Sequence, residues 1–260
     1  SLENMVIIDP ETYKDTDKII HKHYEKYWRS GLTQQQAAQE IKHGHYNRFA
    51  GAVLNNGDID AFVGYALKDL ETTLAAVADT VDLSEDYYTA SSSVLLANKH
   101  KSLIIADPAL YTEQDEEYLS EVILQTADIC KVVDIEPNIA VISNGCFGKS
   151  LDSEEIMEAI NLAKQANPKL KIEGDLDLET ALTPALAKSY PYTNADGNSN
   201  VLIFSNAQAA DAAIKSLKLF GGFKICAKVI QGFSAPVQIA ENNALSEEIF
   251  NLAVIAAANI

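Results

Sequence analysis

The residues best placed to do chemistry fall in three stretches. The first is Ser143-Asn144-Gly145-Cys146-Phe147-Gly148-Lys149-Ser150, between an apolar run and an amphipathic one. Strand, loop and helix in that order suit a phosphate-binding loop, but the nucleotide-binding pattern requires glycine where Ser143 stands, and no magnesium-carrying carboxylate strand accompanies it. The stretch therefore reads as a tight turn with a ligand-facing backbone, in which Lys149 could meet a phosphate or carboxylate at the helix start. The second is Glu173-Gly174-Asp175-Leu176-Asp177-Leu178-Glu179. Its four carboxylates could do acid–base work or hold Mg²⁺. A strand end followed by an acidic helix start, which the helix dipole favours, accounts for them equally well and is preferred. The third is the closing loop, Glu241-Asn242-Asn243, between PVQI and the last helical run. A strand and a helix hold such a loop still, so loops of this kind carry sites, yet this one offers no base, cation or nucleophile.

Other candidates carry less. His21/His23 and His43/His45 are spaced i, i+2, about 200° apart on a helix, so one helix cannot offer both to one metal. They read as surface histidines. Cys146 has no histidine near it in sequence, and Cys130, Cys146 and Cys226 show neither zinc spacing nor a disulfide framework. Reduced thiols in a cytoplasmic setting are expected. Arg29 and Arg48 are the arginines of the chain; residues 49–260 have none. Arginine is the side chain best suited to bidentate phosphate recognition, so its scarcity argues against acyl-phosphate chemistry.

The elements that position these residues alternate. Residues 6–9, 60–64, 88–97, 102–106, 139–143, 171–175, 200–204, 224–230 and PVQI read as strands. Residues 14–29, 33–43, 46–54, 68–79, 114–131, 152–166, 177–188, 206–219 and the terminal segment read as helices. The pair 88–97 and 102–106 reads as an antiparallel hairpin. Apolar strands separated by amphipathic helices predict an α/β fold with largely parallel, helix-covered sheets. The chain has 260 residues and 47% hydrophobic content, enough for a large core in one domain or two lobes. Its net charge of −17 excludes nucleic acid as a partner class, and no apolar run is long enough for a membrane span. The opening, SLENMVIIDP, lacks a signal-peptide pattern and reads as a cut from a longer polypeptide.

In order, GDIDAFVGY (57–65), IIADPAL (104–110), IAVISNGCFGKS (139–150), KIEGDLDLETAL (171–182), YPYTNADGNSNVLIFSNAQAADAAIK (190–215), LFGGF (219–223), PVQI and IFNLAVIAAANI resemble the phosphate acetyltransferase/butyryltransferase family. The likeness runs from Val6 to Ile260. The YPY…SNVLIF stretch, PVQI and the AAANI ending look more like the phosphotransacetylase-like C-terminal domain of bacterial NADP-dependent malic enzymes.

The resemblance implies a two-lobed fold like that of the isocitrate and isopropylmalate dehydrogenases, incomplete at its N-terminus. One lobe would combine 1–84 with 232–260, the other would span 85–231, and ligand would sit between them. Active members carry a Ser-Arg pair in the closing loop with an Asp shortly after; those positions fall on Glu241, Asn242 and Glu248. Further family arginines fall on Tyr27, Leu74 and Leu219. The family's Gly-Asn becomes Ala210-Asp211, its Gly-Pro becomes Ala227-Lys228, and its Asp-Gly-Glu becomes Glu173-Gly174-Asp175. Acetyl transfer needs cations where phosphate charge develops. A carboxylate at 241 adds repulsion of about 4 kcal/mol for charges ~4 Å apart at an effective dielectric of 20.

The expectation is therefore a non-catalytic regulatory or oligomerisation domain of a malic enzyme, forming a homodimer or larger assembly and sensing acetyl-CoA. Oxidative decarboxylation of malate, NADP and the divalent metal would belong to an N-terminal catalytic part, with no cofactor or metal in this segment. Contacts to acetyl-CoA would come from Ser143, Asn144, Gly145, Lys149, Ser150, Asp175 and Lys228. The alternatives are an active phosphate acetyltransferase and a purely structural dimerisation module.

Overall fold

The computed structural model describes residues 5–66, 69–107 and 115–260. Helices α1 (Thr16–Tyr27), α2 (Gln34–His43) and α3 (Tyr46–Asn55) open the chain, with a 3₁₀ turn at Trp28–Ser30. Thr33 starts α2 through a capping box, its Oγ1 accepting the Gln36 N–H at 3.2 Å while Gln36 Oε1 accepts the Thr33 N–H at 2.9 Å. Strand β1 (Phe62–Tyr65) and helix α4 (Leu70–Ala78) follow. Next come the hairpin β2 (Ser91–Ala97) and β3 (Ser102–Asp107), then α5 (Glu116–Val132), β4 (Ile139–Ile142), α6 (Ser153–Ala166) and β5 (Ile172–Leu176). The chain continues through α7 (Leu178–Leu182), α8 (Pro184–Ala187), β6 (Val201–Phe204) and α9 (Ala207–Phe220). It closes with β7 (Lys224–Gln231), β8 (Val237–Ala240) and α10 (Ser246–Ala258).

Six strands form one sheet in the order β5-β4-β6-β3-β2-β7, and β1 pairs with β8 in a second, parallel sheet of two. In the large sheet only β2 runs against its neighbours; the other ladders are parallel. The strand period of two divides the core. Ile104, Ile139, Val141, Val201 and Ile203 face α5 and α6, whereas Leu103, Ile105, Ala140, Ile142 and Leu202 face the α9 side. Burying one such Ile or Leu contributes about 1.5–3 kcal/mol. A third cluster lies around β1, β8, α3 and α4, and a fourth ties α10 to β7, β8 and Ile129 of α5.

Three expectations need correction. Residues 6–9 are not a strand: they lie outside both sheets, with Val6 and Ile7 exposed at 83% and 95%. An apolar run becomes a strand only beside a partner, and among the described residues none lies alongside. The helix expected over 177–188 is two helices, because Pro184 has no N–H to continue the ladder. The histidines are not all on the surface: His23 is 5% exposed, with Nε2 2.8 Å from Glu40 Oε2, so it joins α1 to α2. The expected helix starts at 68 and 114, residues 108–110 and residues 1–4 lie outside the described residues.

The junction of the two sheets positions the site. β7 is an edge strand of the large sheet, and its Ile230 turns N–H and C=O outward. Gln238 of β8, 1% exposed, takes both: Oε1 accepts the N–H at 2.9 Å and Nε2 donates to the carbonyl at 3.1 Å. Between them the chain turns at Gly232, whose φ is +92° and where a Cβ would lie 2.3 Å from the Thr89 carbonyl oxygen. Near the start of β7 the ladder to β2 slips: Leu95 pairs with Ala227 and Leu96 with Ile225, leaving Cys226 out of register. Asn251 of α10 donates to the Cys226 carbonyl at 2.9 Å, fastening the last helix to this bulge.

Candidate functional site

The Gln238–Ile230 tie lays the end of β8 beside the middle of β7. Lys228, opposite Val94 in the ladder, and Glu241, the first residue past β8, therefore meet across a groove, Nζ to Oε1 at 2.9 Å. Helix α9 forms the other wall. Asn206 caps it through the Ala209 N–H at 2.8 Å, and it presents Lys215 and Lys218, three residues apart and so on one face. The groove holds about 220 Å³. Its floor is apolar, from Val94, Ile214, Ile225, Ile239 and Leu252.

Among the described residues, lysines and carboxylates line this groove in equal number, three of each, on a chain of charge −17. The carboxylates are placed differently. Asp211 accepts from Lys215 on its own helix at 2.6 Å. Glu248 accepts the Leu245 N–H at 3.3 Å at the start of α10. Glu241 alone of the three reaches across to another strand. Lys218 has no carboxylate partner among the described residues. Tyr65 Oη donates to the Asn242 carbonyl at 2.9 Å, which anchors the closing loop to β1.

The loop 143–150 is built around a different centre. Asp175, at the end of β5, is fully buried. Its Oδ1 accepts from Ser143 and, at 3.1 Å, from Ser150; its Oδ2 accepts from Ser153 at 2.6 Å and from the Gly148 N–H at 3.2 Å. Burial works against ionisation, and these four donors outweigh it, holding the carboxyl below its ordinary value. Ser143 and Ser150 thus point inward at a carboxylate, which organises the loop and would repel a phosphate among them. Asn144 and Lys149 are exposed on its outside, and Gly145 packs against Lys149 and Ser150. Asp177 is spent on the α7 cap, accepting the Thr180 N–H at 2.7 Å, and Glu173 accepts from Thr193 and Asn194. Cys146 is buried 3.3 Å from Asp177 Oδ2.

Three strands separate β4, which leads into this loop, from β7, roughly 19 Å at the usual strand spacing. The structure therefore does not bring Lys228 together with Ser143, Asn144, Gly145, Lys149, Ser150 and Asp175. It brings Lys228 against Glu241, in a groove that Glu248 also lines. Leu74 is a core residue under β1 and β8, and Leu219 is 74% exposed at the end of α9, so neither lines the groove. Both arginines are engaged elsewhere: Arg48 donates twice to Asp79 Oδ2, at 2.6 and 3.2 Å, and Arg29 lies over the Trp28 ring at 5.2 Å. Lys215 and Lys218 were missed in the sequence. Their i, i+3 spacing was visible, but their shared groove with Lys228 is not. Among the described residues no group of three or more His, Cys, Asp or Glu is placed to hold a metal ion, and no helix is long and apolar enough to cross a membrane.

The arrangement is that of an α/β protein with a lysine-lined groove where its two sheets meet, and solved structures share the fold. A phosphotransacetylase from Streptococcus pyogenes superposes with a TM-score of 0.91 at 25% identity, covering 99% of this chain and 79% of that one. The EutD phosphotransacetylase from Staphylococcus aureus gives 0.85 at 25% identity, with the same coverage. In sequence, the phosphate acetyltransferase of Bacillus subtilis (strain 168) is 27% identical over 262 residues, 99% of this chain and 80% of the relative. The family model for phosphate acetyl/butaryl transferases matches residues 1–257, and the chain belongs to that family.

The malic-enzyme expectation is overturned. The relatives are phosphate acetyltransferases matched over most of their own length, and nothing in them supports an N-terminal malic-enzyme part, an oxidoreductase or a regulatory domain. The malic-enzyme assignment rested on the YPY…SNVLIF stretch, PVQI and the AAANI ending, and the non-catalytic reading on the missing arginines. The folded chain lines one groove with lysines instead: Lys228, at the position aligned with the family's Gly-Pro, and Lys215 and Lys218, which stand at none of the aligned arginine positions.

Proposed function

We propose that this chain transfers an acyl group between phosphate and coenzyme A, as phosphate acetyltransferases do, in the groove between α9, β7 and the closing loop. The observation that carries this reading is the family match over residues 1–257. The groove supports it with Lys228, Lys215 and Lys218 as cations for phosphoryl oxygens and an apolar floor for the acyl chain. In the reaction, the thiol sulfur of CoA attacks the carbonyl carbon of an acyl phosphate and the carbon–oxygen bond to phosphate breaks. Phosphate leaves with that electron pair, and the thiol proton ends on it, giving hydrogen phosphate and the thioester. Lysine ammonium groups aimed at the departing oxygens would stabilise the charge that grows there. Acetyl-CoA is thus a product or substrate in this reading.

The kinship to dehydrogenase-like folds is part of the same proposal. It rests on a putative 4-hydroxythreonine-4-phosphate dehydrogenase from Salmonella typhimurium, with a TM-score of 0.54 at 15% identity, a likeness of fold alone.

The test is thioester formation from acetyl phosphate and CoA, followed in both directions. Turnover in the ordinary range of ~1–10³ s⁻¹ supports the proposal. Protein that is folded yet shows no turnover above the uncatalysed rate overturns it.

A further inference from the structure

We infer that Glu241 is a built-in competitor for the anion site of the groove, and that its exchange with phosphate at Lys228 makes the site select doubly charged phosphoryl groups over singly charged carboxylates. The inference rests on the proposed binding of phosphate in this groove and adds the residue that sets its selectivity.

Four observations lead there. Glu241 Oε1 lies 2.9 Å from Lys228 Nζ, so a carboxylate already occupies the position an anion would take. Both side chains are reachable from solvent, Lys228 at 29% and Glu241 at 42%. The other two groove carboxylates are held by partners near them in sequence, Asp211 by Lys215 and Glu248 by the Leu245 N–H, and do not reach Lys228 in this way. The backbone on both sides is fixed. Lys228 is in register opposite Val94, the Glu241 carbonyl accepts the Ala244 N–H at 3.0 Å, and the Asn242 carbonyl is held by Tyr65. Glu241 can therefore leave Lys228 by rotating its own side chain, with no strand or helix displaced.

The selectivity follows from charge. A singly charged carboxylate entering the groove replaces one carboxylate by another and gains nothing, while Glu241, still tethered nearby, repels it. A phosphate dianion brings a second charge and more acceptor oxygens, enough to engage Lys215 and Lys218 as well. Half-exposed ion pairs are weak, so the exchange is readily reversible.

The experiment uses the full chain, without CoA. Inorganic phosphate and acetate are titrated by calorimetry into the wild type, E241Q and K228M, with circular dichroism to check the fold. We expect the wild type to bind phosphate but not acetate. E241Q should bind phosphate about three- to tenfold more tightly and acquire measurable acetate binding. K228M should lose phosphate binding. Weaker phosphate binding by folded E241Q would make Glu241 a holder of Lys228 and overturn the inference. So would an unchanged preference, or absence of phosphate binding in both wild type and E241Q. Should E241Q fail to fold, carboxyl ¹³C NMR of the wild type decides: the Glu241 resonance must move on phosphate addition, and a stationary one overturns the inference. Binding is read here without turnover, so its outcome is independent of the thioester assay.

Discussion

Gln238 replaces a strand partner for Ile230: its side-chain amide receives the N–H and meets the carbonyl that β7 leaves facing outward. An edge strand ordinarily presents such groups to solvent or to another chain. Here one buried side chain takes up the Ile230 groups and ties the two sheets together at this point. Lys228 is two residues before Ile230 and Glu241 three after Gln238, so the same amide fixes the groove.

Gln238→Leu removes both bonds while keeping volume, leaving a buried N–H and a buried carbonyl unpaired. We expect a loss of about 2–4 kcal/mol in urea unfolding. A loss under about 0.5 kcal/mol would mean that water takes over both groups.

Gly232→Ala meets both a left-handed backbone and a carbonyl oxygen at 2.3 Å. Gly222 shares the positive φ, +66°, but has nothing within 4 Å. The alanine at 222 should cost about 1–2 kcal/mol, the conformational term alone. The one at 232 should cost about 1–3 kcal/mol more, because overpacking adds to it. Equal losses in thermal unfolding would show that the Thr89 carbonyl gives way.

For the proposed reaction, Lys228→Met should lower kcat/KM for acetyl phosphate by about 10²-fold, and Lys228→Arg should keep most of it. Steady-state kinetics with CoA saturating makes the comparison. Activity unaffected by the methionine would remove Lys228 from phosphate binding.

Asp196 gives a pH signature far from the groove. Lys171 Nζ lies 2.7 Å from its Oδ2; against the cost of burial, that lysine, the Asn198 N–H and the Asn138 amide pull its carboxyl down to about 2. The folded chain therefore releases this proton at lower pH than the unfolded chain. The stabilisation is complete above the unfolded value of 3.8 and is lost as pH falls towards about 2. Carboxyl NMR should show the midpoint rising towards the ordinary range in Lys171→Met. A midpoint left at about 2 would assign the effect to Asn198 and Asn138.

The sequence disclosed what is local. A helix start near Thr33 is legible because a side-chain oxygen and an N–H three residues on are a local matter, and the hairpin at 98–101 is likewise read from neighbours. Pro184 could have been read and was not. What was illegible is long-range. Whether residues 6–9 become a strand depends on what lies beside them. Whether Ser143 and Ser150 face a ligand or Asp175 depends on a carboxylate at least 25 residues away. The groove was the hardest: Lys228 and Glu241 are 13 residues apart, and only the crossing from one sheet to the other brings them together.

The slip at Cys226 divides β7 into two parts with separate alignments. Lys224 and Ile225 follow one frame against β2, and Ala227 to Gln231 follow another, so the frame of the hairpin tip ends before Lys228 begins. The tip around 98–101 lies on the far side of this slip from Lys228. The tip is thus a place where the chain can accept a tag, a label or natural variation, with the lysine of the groove kept in position.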